Sequence, residues 1–350
     1  MTSSRRKSPR AGSSFSGTPD ADKAAFTSPL ARGLCDAVPG AKDPVEAILW
    51  HARMLTLESG VTSPPFRPAS YAHLRRVRRI VQREMEVEGR LLPQGRDFVI
   101  ELRKDRPRER QNFTCAHELG HTFFYDSVPT IKYRSLASVE PHHDEQEEKL
   151  CNIAAAELLM PATIFSKIAN DFLPSPQSLQ EIARTFETSL TATVLRLHGL
   201  KLWDATFILW KRRGSALTAA WIARPNRGLT YFPPLAVGDA DSSGIYDALR
   251  NGKTTVGEEW LTFQNQYRRC HVISACMSNS SAILSCVAGH THAPSKPTAP
   301  HTPAMLPLPL EYDCTCDGTG WRSFKKDGRS YAARCRAAQH FTRCADVPQD

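Results

Sequence analysis

Phe113-Thr114-Cys115-Ala116-His117-Glu118-Leu119-Gly120-His121-Thr122-Phe123-Phe124-Tyr125 sets a His-Glu-x-x-His spacing inside an apolar frame. On a helix, residues four apart lie about 40° apart around the axis. His117 and His121 therefore project from one face and can hold one Zn²⁺. Glu118, one step round, is placed to take a proton from a water polarised at that ion, which is the chemistry of a metal-assisted hydrolase. Leu119, Phe123 and Phe124 supply apolar positions that bury the helix, and Gly120 lets another segment come close.

Two histidines do not complete a catalytic zinc site, which ordinarily takes a third protein ligand and leaves a position to water. Downstream, Glu145-Gln146-Glu147-Glu148-Lys149-Leu150-Cys151-Asn152 runs into Ile153-Ala154-Ala155-Ala156-Glu157-Leu158-Leu159-Met160-Pro161. This reads as a second helix, acidic at its start, apolar along its body and stopped near Pro161. Glu148 and Asn152, four apart, share a face, so one can ligate the metal while the other hydrogen-bonds a ligand. Glu145 and Glu147 compete with Glu148 for the ligand position, and Cys151 is itself soft enough to bind zinc.

The run Arg110-Gln111-Asn112-Phe113-Thr114-Cys115-Ala116-His117-Glu118-Leu119-Gly120-His121, followed by Glu148-x-x-Cys151-Asn152-x-x-Ala155-Ala156-Glu157-Leu158-Leu159-Met160-Pro161, resembles the ImmA/IrrE family of metallo-endopeptidases. The resemblance spans residues 45 to 200. It implies that His117, His121 and Glu148 bind zinc and that Glu118 is the general base or acid. It implies a protein substrate, a helix-turn-helix transcriptional repressor whose cleavage derepresses stress or mobile-element genes. Family members typically have Ala-Asn and Phe-Ala where this chain has Cys151-Asn152 and Ile153-Ala154.

The fold class expected is α+β: a mainly helical zincin-like domain with a small edge sheet over 41–200, then a second α+β domain over 201–292. Residues 1–40, rich in Ser, Pro, Gly, Ala, Arg and Lys without apolar periodicity, read as a disordered basic tail. The tail has no apolar core of a secretory signal, and no run of about 18 apolar residues suggests a membrane span. The cytoplasm is the compartment expected. The formal net charge of +9 permits an acidic partner, although much of it lies in that tail.

Residues 44–58 and 71–88 read as helices, the second bearing Arg75, Arg76, Arg78, Arg79 and Arg83 opposite a stripe of Leu74, Val77, Ile80 and Val81. Asp97-Phe98-Val99-Ile100-Glu101-Leu102 reads as a strand, and the resemblance implies that it lies beside the active-site helix and pairs with extended substrate. Residues 178–199 form a pair of short amphipathic helices. Their spacing is that of a helix-turn-helix, so direct DNA binding competes with simple core closure. Strands are expected at 205–210, 216–222, 271–275 and 282–287.

Six prolines between 293 and 310 make a stiff linker. Over 311–350, Cys314, Cys316, Cys335 and Cys344 are candidate ligands of a second, structural zinc. Tyr125, Tyr133, His142 and His143 are candidate partners for a developing oxyanion. The competing functional class is a regulator that binds protein or DNA without proteolysis, through residues 178–199 or the Cys-rich tail.

Overall fold

The computed structural model describes residues 26–127, 145–214, 216–237, 243–263, 266–277, 282–288, 321–326 and 329–334. The oxyanion candidates Tyr133, His142 and His143, the proline linker, and Cys314, Cys316, Cys335 and Cys344 lie outside them.

Helix α1 (Pro29–Asp36) is capped by the Ser28 hydroxyl, which accepts from the Ala31 N–H at 3.2 Å. It falls inside the segment expected to be an unstructured tail. Its apolar residues Ala31 and Leu34 are buried, which repays the ordering of a segment short of hydrophobic residues. Helix α2 (Pro44–Glu58) has Pro44 in its first turn and the Asp43 carboxylate accepting from the Glu46 N–H at 2.9 Å. Both features are start signals, and the helix occupies the expected span.

The region expected as one helix over 71–88 is not helical through its length. A short helix α3 (Pro68–Tyr71) and a 3₁₀ turn (Ala72–Arg75) end at Arg76, which sits in the left-handed region with φ 61°. Strand β1 (Val77–Arg83) follows. Its β-branched Val77, Ile80 and Val81 suit a strand, and parallel pairing along β3 (Asp97–Arg103) overrides the helical spacing. Strand β2 (Gly89–Gln94) returns antiparallel to β3 through a turn with Gly95 at φ +64°, giving the order β1-β3-β2. Strand β3 is therefore central, with Phe98, Val99, Ile100 and Leu102 buried. Paired on both sides, it cannot also pair with substrate, contrary to expectation. Among the described residues, no strand pairs with the outer edge of β2.

Helix α4 (Arg108–Ser127) carries the opening motif, and α5 (Glu145–Leu159) the second block. They pack closely because Gly120 faces Cys151: a Cβ on Gly120 would lie 3.1 Å from Cys151 Cα. Helix α6 (Ala162–Ala169) leads to α7 (Pro176–Thr185) and α8 (Leu190–Gly199), the expected helix pair. No residue of α8 is exposed. Its Val194 and Leu197 are fully buried, and the helix packs on α7, β5 and β6.

Strands β4 (Ala205–Arg213), β5 (Ala216–Arg224), β6 (Gly228–Tyr231), β7 (Leu235–Val237), β8 (Thr255–Phe263), β9 (Gln266–Cys276) and β10 (Ala282–Ala288) form an antiparallel sheet in the order β6-β5-β4-β10-β9-β8-β7. Its core gathers Ile208, Trp210, Ile222, Ile245, Leu261, Val272 and Ile283. The indole N–H of Trp210 donates to Ser285 Oγ at 3.0 Å, satisfying a polar group that would be costly left alone in that core. Helix α9 (Gly244–Asn251) lies on β8, β9 and β10. The buried Glu259 caps it, accepting from the Gly244 N–H at 2.7 Å and the Ser243 hydroxyl at 2.8 Å. Described by themselves, β11 (Trp321–Lys326) and β12 (Arg329–Arg334) pair as an antiparallel hairpin.

Candidate metal centre

One turn of α4 separates His117 from His121, and their Nε2 atoms stand 3.2 Å apart. Glu148, near the start of α5, brings Oε2 to 3.1 Å from His117 Nε2 and Oε1 to 3.6 Å from His121 Nε2. A tetrahedral Zn²⁺ with ligand bonds of about 2.0–2.2 Å has ligand–ligand edges of about 3.3–3.6 Å. The three observed separations sit close to those edges, so the donor set fits that ion. The side chains are partly exposed, 14% and 16% for the histidines and 39% for Glu148, which leaves the trio an open side.

Each histidine is held from behind. His117 Nδ1 lies 3.0 Å from Asn152 Oδ1, and His121 Nδ1 lies 2.7 Å from Glu147 Oε1. Both acceptors fix the proton on Nδ1 and leave Nε2 to a metal. Sequence reasoning placed Glu147 among the competing ligands. The structure aims it at the far nitrogen of His121, while Glu145 is exposed at the helix start. Residues 147 and 148 are 100° apart around the helix, so they cannot present to the same nitrogen face, and the direction of His121 decides which of them meets Nε2. Replacing Glu147 with Gln is expected to weaken zinc binding by about 10–100-fold, read by competition with a chromogenic chelator.

Glu118 is 6% exposed and lies under β2. Burial, the largest influence, pushes its carboxyl above the ordinary value, and Glu148 adds to this against the opposing pull of His121 and His117. The Leu91 backbone also hydrogen-bonds it, so the strand edge and the acid are joined. Gly89 makes that approach possible, because a Cβ there would meet Thr114 Cγ2 at 2.3 Å and Glu118 Oε1 at 3.2 Å. A carboxyl with raised proton affinity beside two Nε2 atoms is suited to accept and return a proton. For His117, burial works to lower the pKa, but the Glu148 hydrogen bond, the Glu118 and Glu148 charges and Asn152 together raise it. Of the oxyanion candidates, Tyr125 is described, its ring edge-on against Phe98 with centroids 4.9 Å apart.

The far end of α5 is anchored by a buried ion network. Glu157, 2% exposed, pairs with Arg53 at 3.0 Å and with Arg196 of α8. Arg196 also donates to the Met160 carbonyl at 2.8 Å and 3.0 Å. The helix bearing Glu147, Glu148 and Asn152 is thus gripped by α2 and α8.

The match to a known family covers this geometry. The IrrE N-terminal-like domain model aligns with residues 76–198, from the start of β1 to the end of α8. Over these residues the chain is similar to the IrrE N-terminal-like domain. The radiation response metalloprotease IrrE of Deinococcus radiodurans is 33% identical to this chain over 89 residues, 25% of this chain and 27% of that protein. The protein of the same name from Deinococcus deserti is 34% identical over 97 residues, 25% of this chain and 32% of that protein. The IrrE-like segment therefore spans a third or less of either relative. A Mycobacterium tuberculosis transcriptional regulator of solved structure aligns over 74% of this chain and 79% of its own, at 11% identity and a TM-score of 0.40.

Proposed function

We propose that this chain is a zinc-dependent endopeptidase acting on a protein substrate. The observation that carries the reading is the convergence of His117 Nε2, His121 Nε2 and the Glu148 carboxylate on one point beside the buried Glu118. Bound there, zinc supplies Lewis-acid polarisation of a peptide carbonyl and of a water. His117, His121 and Glu148 would hold the ion, with Asn152 and Glu147 keeping the rings turned toward it. Glu118 takes the proton of the attacking water on its carboxylate and returns it to the leaving amine. Extended substrate lies along the outer edge of β2, whose Leu91 already contacts Glu118, and backbone pairing at that edge makes recognition tolerant of sequence.

The finer assignment follows from the family resemblance. The substrate is a helix-turn-helix repressor, and its cleavage frees stress or mobile-element genes in the cytoplasm. Among the described residues, no helix is long and apolar enough to cross a membrane. The basic cluster at Arg78, Arg79 and Arg83 lies on β1 and gives no support to a DNA-reading helix: Arg78 pairs with Asp97, and Arg83 with Glu101 at 2.6 Å. The test is incubation of the zinc-loaded full chain with purified helix-turn-helix repressors, followed by mass spectrometry. A product cut at one internal bond is expected; repressors that all stay intact would remove the substrate assignment, and a zinc-loaded chain inert toward unfolded protein as well would remove the peptidase.

A further inference from the structure

We infer that His121, Glu147 and Cys151 form a second metal site, for a thiophilic d¹⁰ cation, on the inner side of the His121 ring. A ring nitrogen of His121, a carboxylate oxygen of Glu147 and the Sγ of Cys151 all lie within 4.8 Å of one another, and Nδ1 is the nitrogen that faces Glu147, at 2.7 Å from its Oε1. This set is distinct in direction from the trio above. His121 gives Nε2 to the outer trio and Nδ1 to the inner one, so the imidazole stands between two metal positions.

The periodicity of α5 builds both sets. Glu148 and Asn152 share the face that meets His117; Glu147 and Cys151, also four apart, share the adjacent face that meets the back of His121. The inner donors differ in kind from the outer ones. A thiolate added to an imidazole and a carboxylate selects softer ions, such as Cd²⁺ or Zn²⁺, over Mg²⁺ or Ca²⁺. Tetrahedral edges for an N, O and S set with bonds of about 2.0–2.3 Å run to about 3.3–3.7 Å. Donors within 4.8 Å reach them by small side-chain rotations.

The site is enclosed: Cys151 is fully buried, Glu147 is 7% exposed, and His121, with 16% of its side chain exposed, is the most open of the three. Enclosure favours retention of an ion that has entered past His121. Binding releases the thiol proton of Cys151 and the Nδ1 proton of His121 to solvent, since both donors must be deprotonated. The cation takes the place of the proton that Glu147 now accepts.

The experiment is titration of the metal-free full chain with Cd²⁺, comparing wild type with Cys151→Ala. Bound ions are counted by equilibrium dialysis, and the cadmium–thiolate absorption is followed in the ultraviolet. Wild type is expected to bind one ion more than the variant and to show a difference band of a single thiolate. Equal counts and superimposable absorption would overturn the site. A variant that fails to unfold cooperatively is replaced by ¹¹³Cd NMR of the wild type and of Glu147→Gln. A resonance in the mixed S, N, O range that is lost in Glu147→Gln supports the site, and its absence from the wild type overturns it. The outer trio is scored separately, by zinc stoichiometry of His117→Ala, so failure of one set is distinguishable from failure of the other.

Discussion

Replacing Glu118 with Gln is expected to lower peptide-bond cleavage by about 10²–10⁴-fold, the usual share of a general acid–base residue. Gln keeps the shape and one hydrogen-bond acceptor of the carboxylate, so the Leu91 contact and the packing under β2 should persist. What it cannot do is accept a proton from water and return it to an amine. None of the outer trio is altered, so zinc stoichiometry should stay that of wild type. The decisive pair of measurements is therefore turnover and bound zinc on the same preparation. Loss of turnover with zinc retained is the expected result; undiminished turnover would take the proton-transfer role away from Glu118.

The second large effect concerns stability. Glu157→Ala is expected to reduce the free energy of unfolding by about 3–5 kcal/mol, the cost of removing one partner from a buried ion network. Arg53 and Arg196 would keep their charges with no carboxylate between them, and the Ala162 N–H would lose an acceptor at 3.3 Å. Urea unfolding of the metal-free protein measures this without the added linkage of bound zinc. The same network makes a pH prediction. Burial works to raise the Glu157 carboxyl, but Arg196 and Arg53 outweigh it and hold the pKa below the ordinary carboxylate value. A group depressed in the folded state stabilises above its unfolded pKa, and that stability is lost as pH falls through the folded value. Wild type should lose stability through that acid window, and Glu157→Ala should lack this component. A variant with the same urea midpoint as wild type would show the network to be neutral.

Much of the site could be read from residue spacing because its parts obey one helical period. His117 and His121 share a face at four residues, as do Glu148 and Asn152, and α2 announced itself through Asp43 and Pro44. What escaped was set by contacts distant in sequence. Leu74, Val77, Ile80 and Val81 fit a helical stripe as well as a strand; pairing with β3 and the left-handed Arg76 decided for the strand. Strand β2 was hidden by Gly89 and Pro93, residues that weaken a strand pattern. Pro93 was a clue to position as well, since a residue without an N–H is best tolerated at a sheet edge, where β2 lies. Glu147 could not be separated from Glu148 until the direction of His121 was known. Glu157 was not singled out in the apolar run that contains it, because its partners Arg53 and Arg196 lie 104 and 39 residues away.

The helix α8 has the sequence pattern of a recognition helix and none of its freedom. Its Arg196 is clasped to Glu157 and the Met160 carbonyl, and its flanks face α7, β5 and β6. Through Arg196 it is tied to the helix that carries Glu148. An element with helix-turn-helix spacing thus serves here as a brace for the helix that bears Glu147, Glu148 and Asn152.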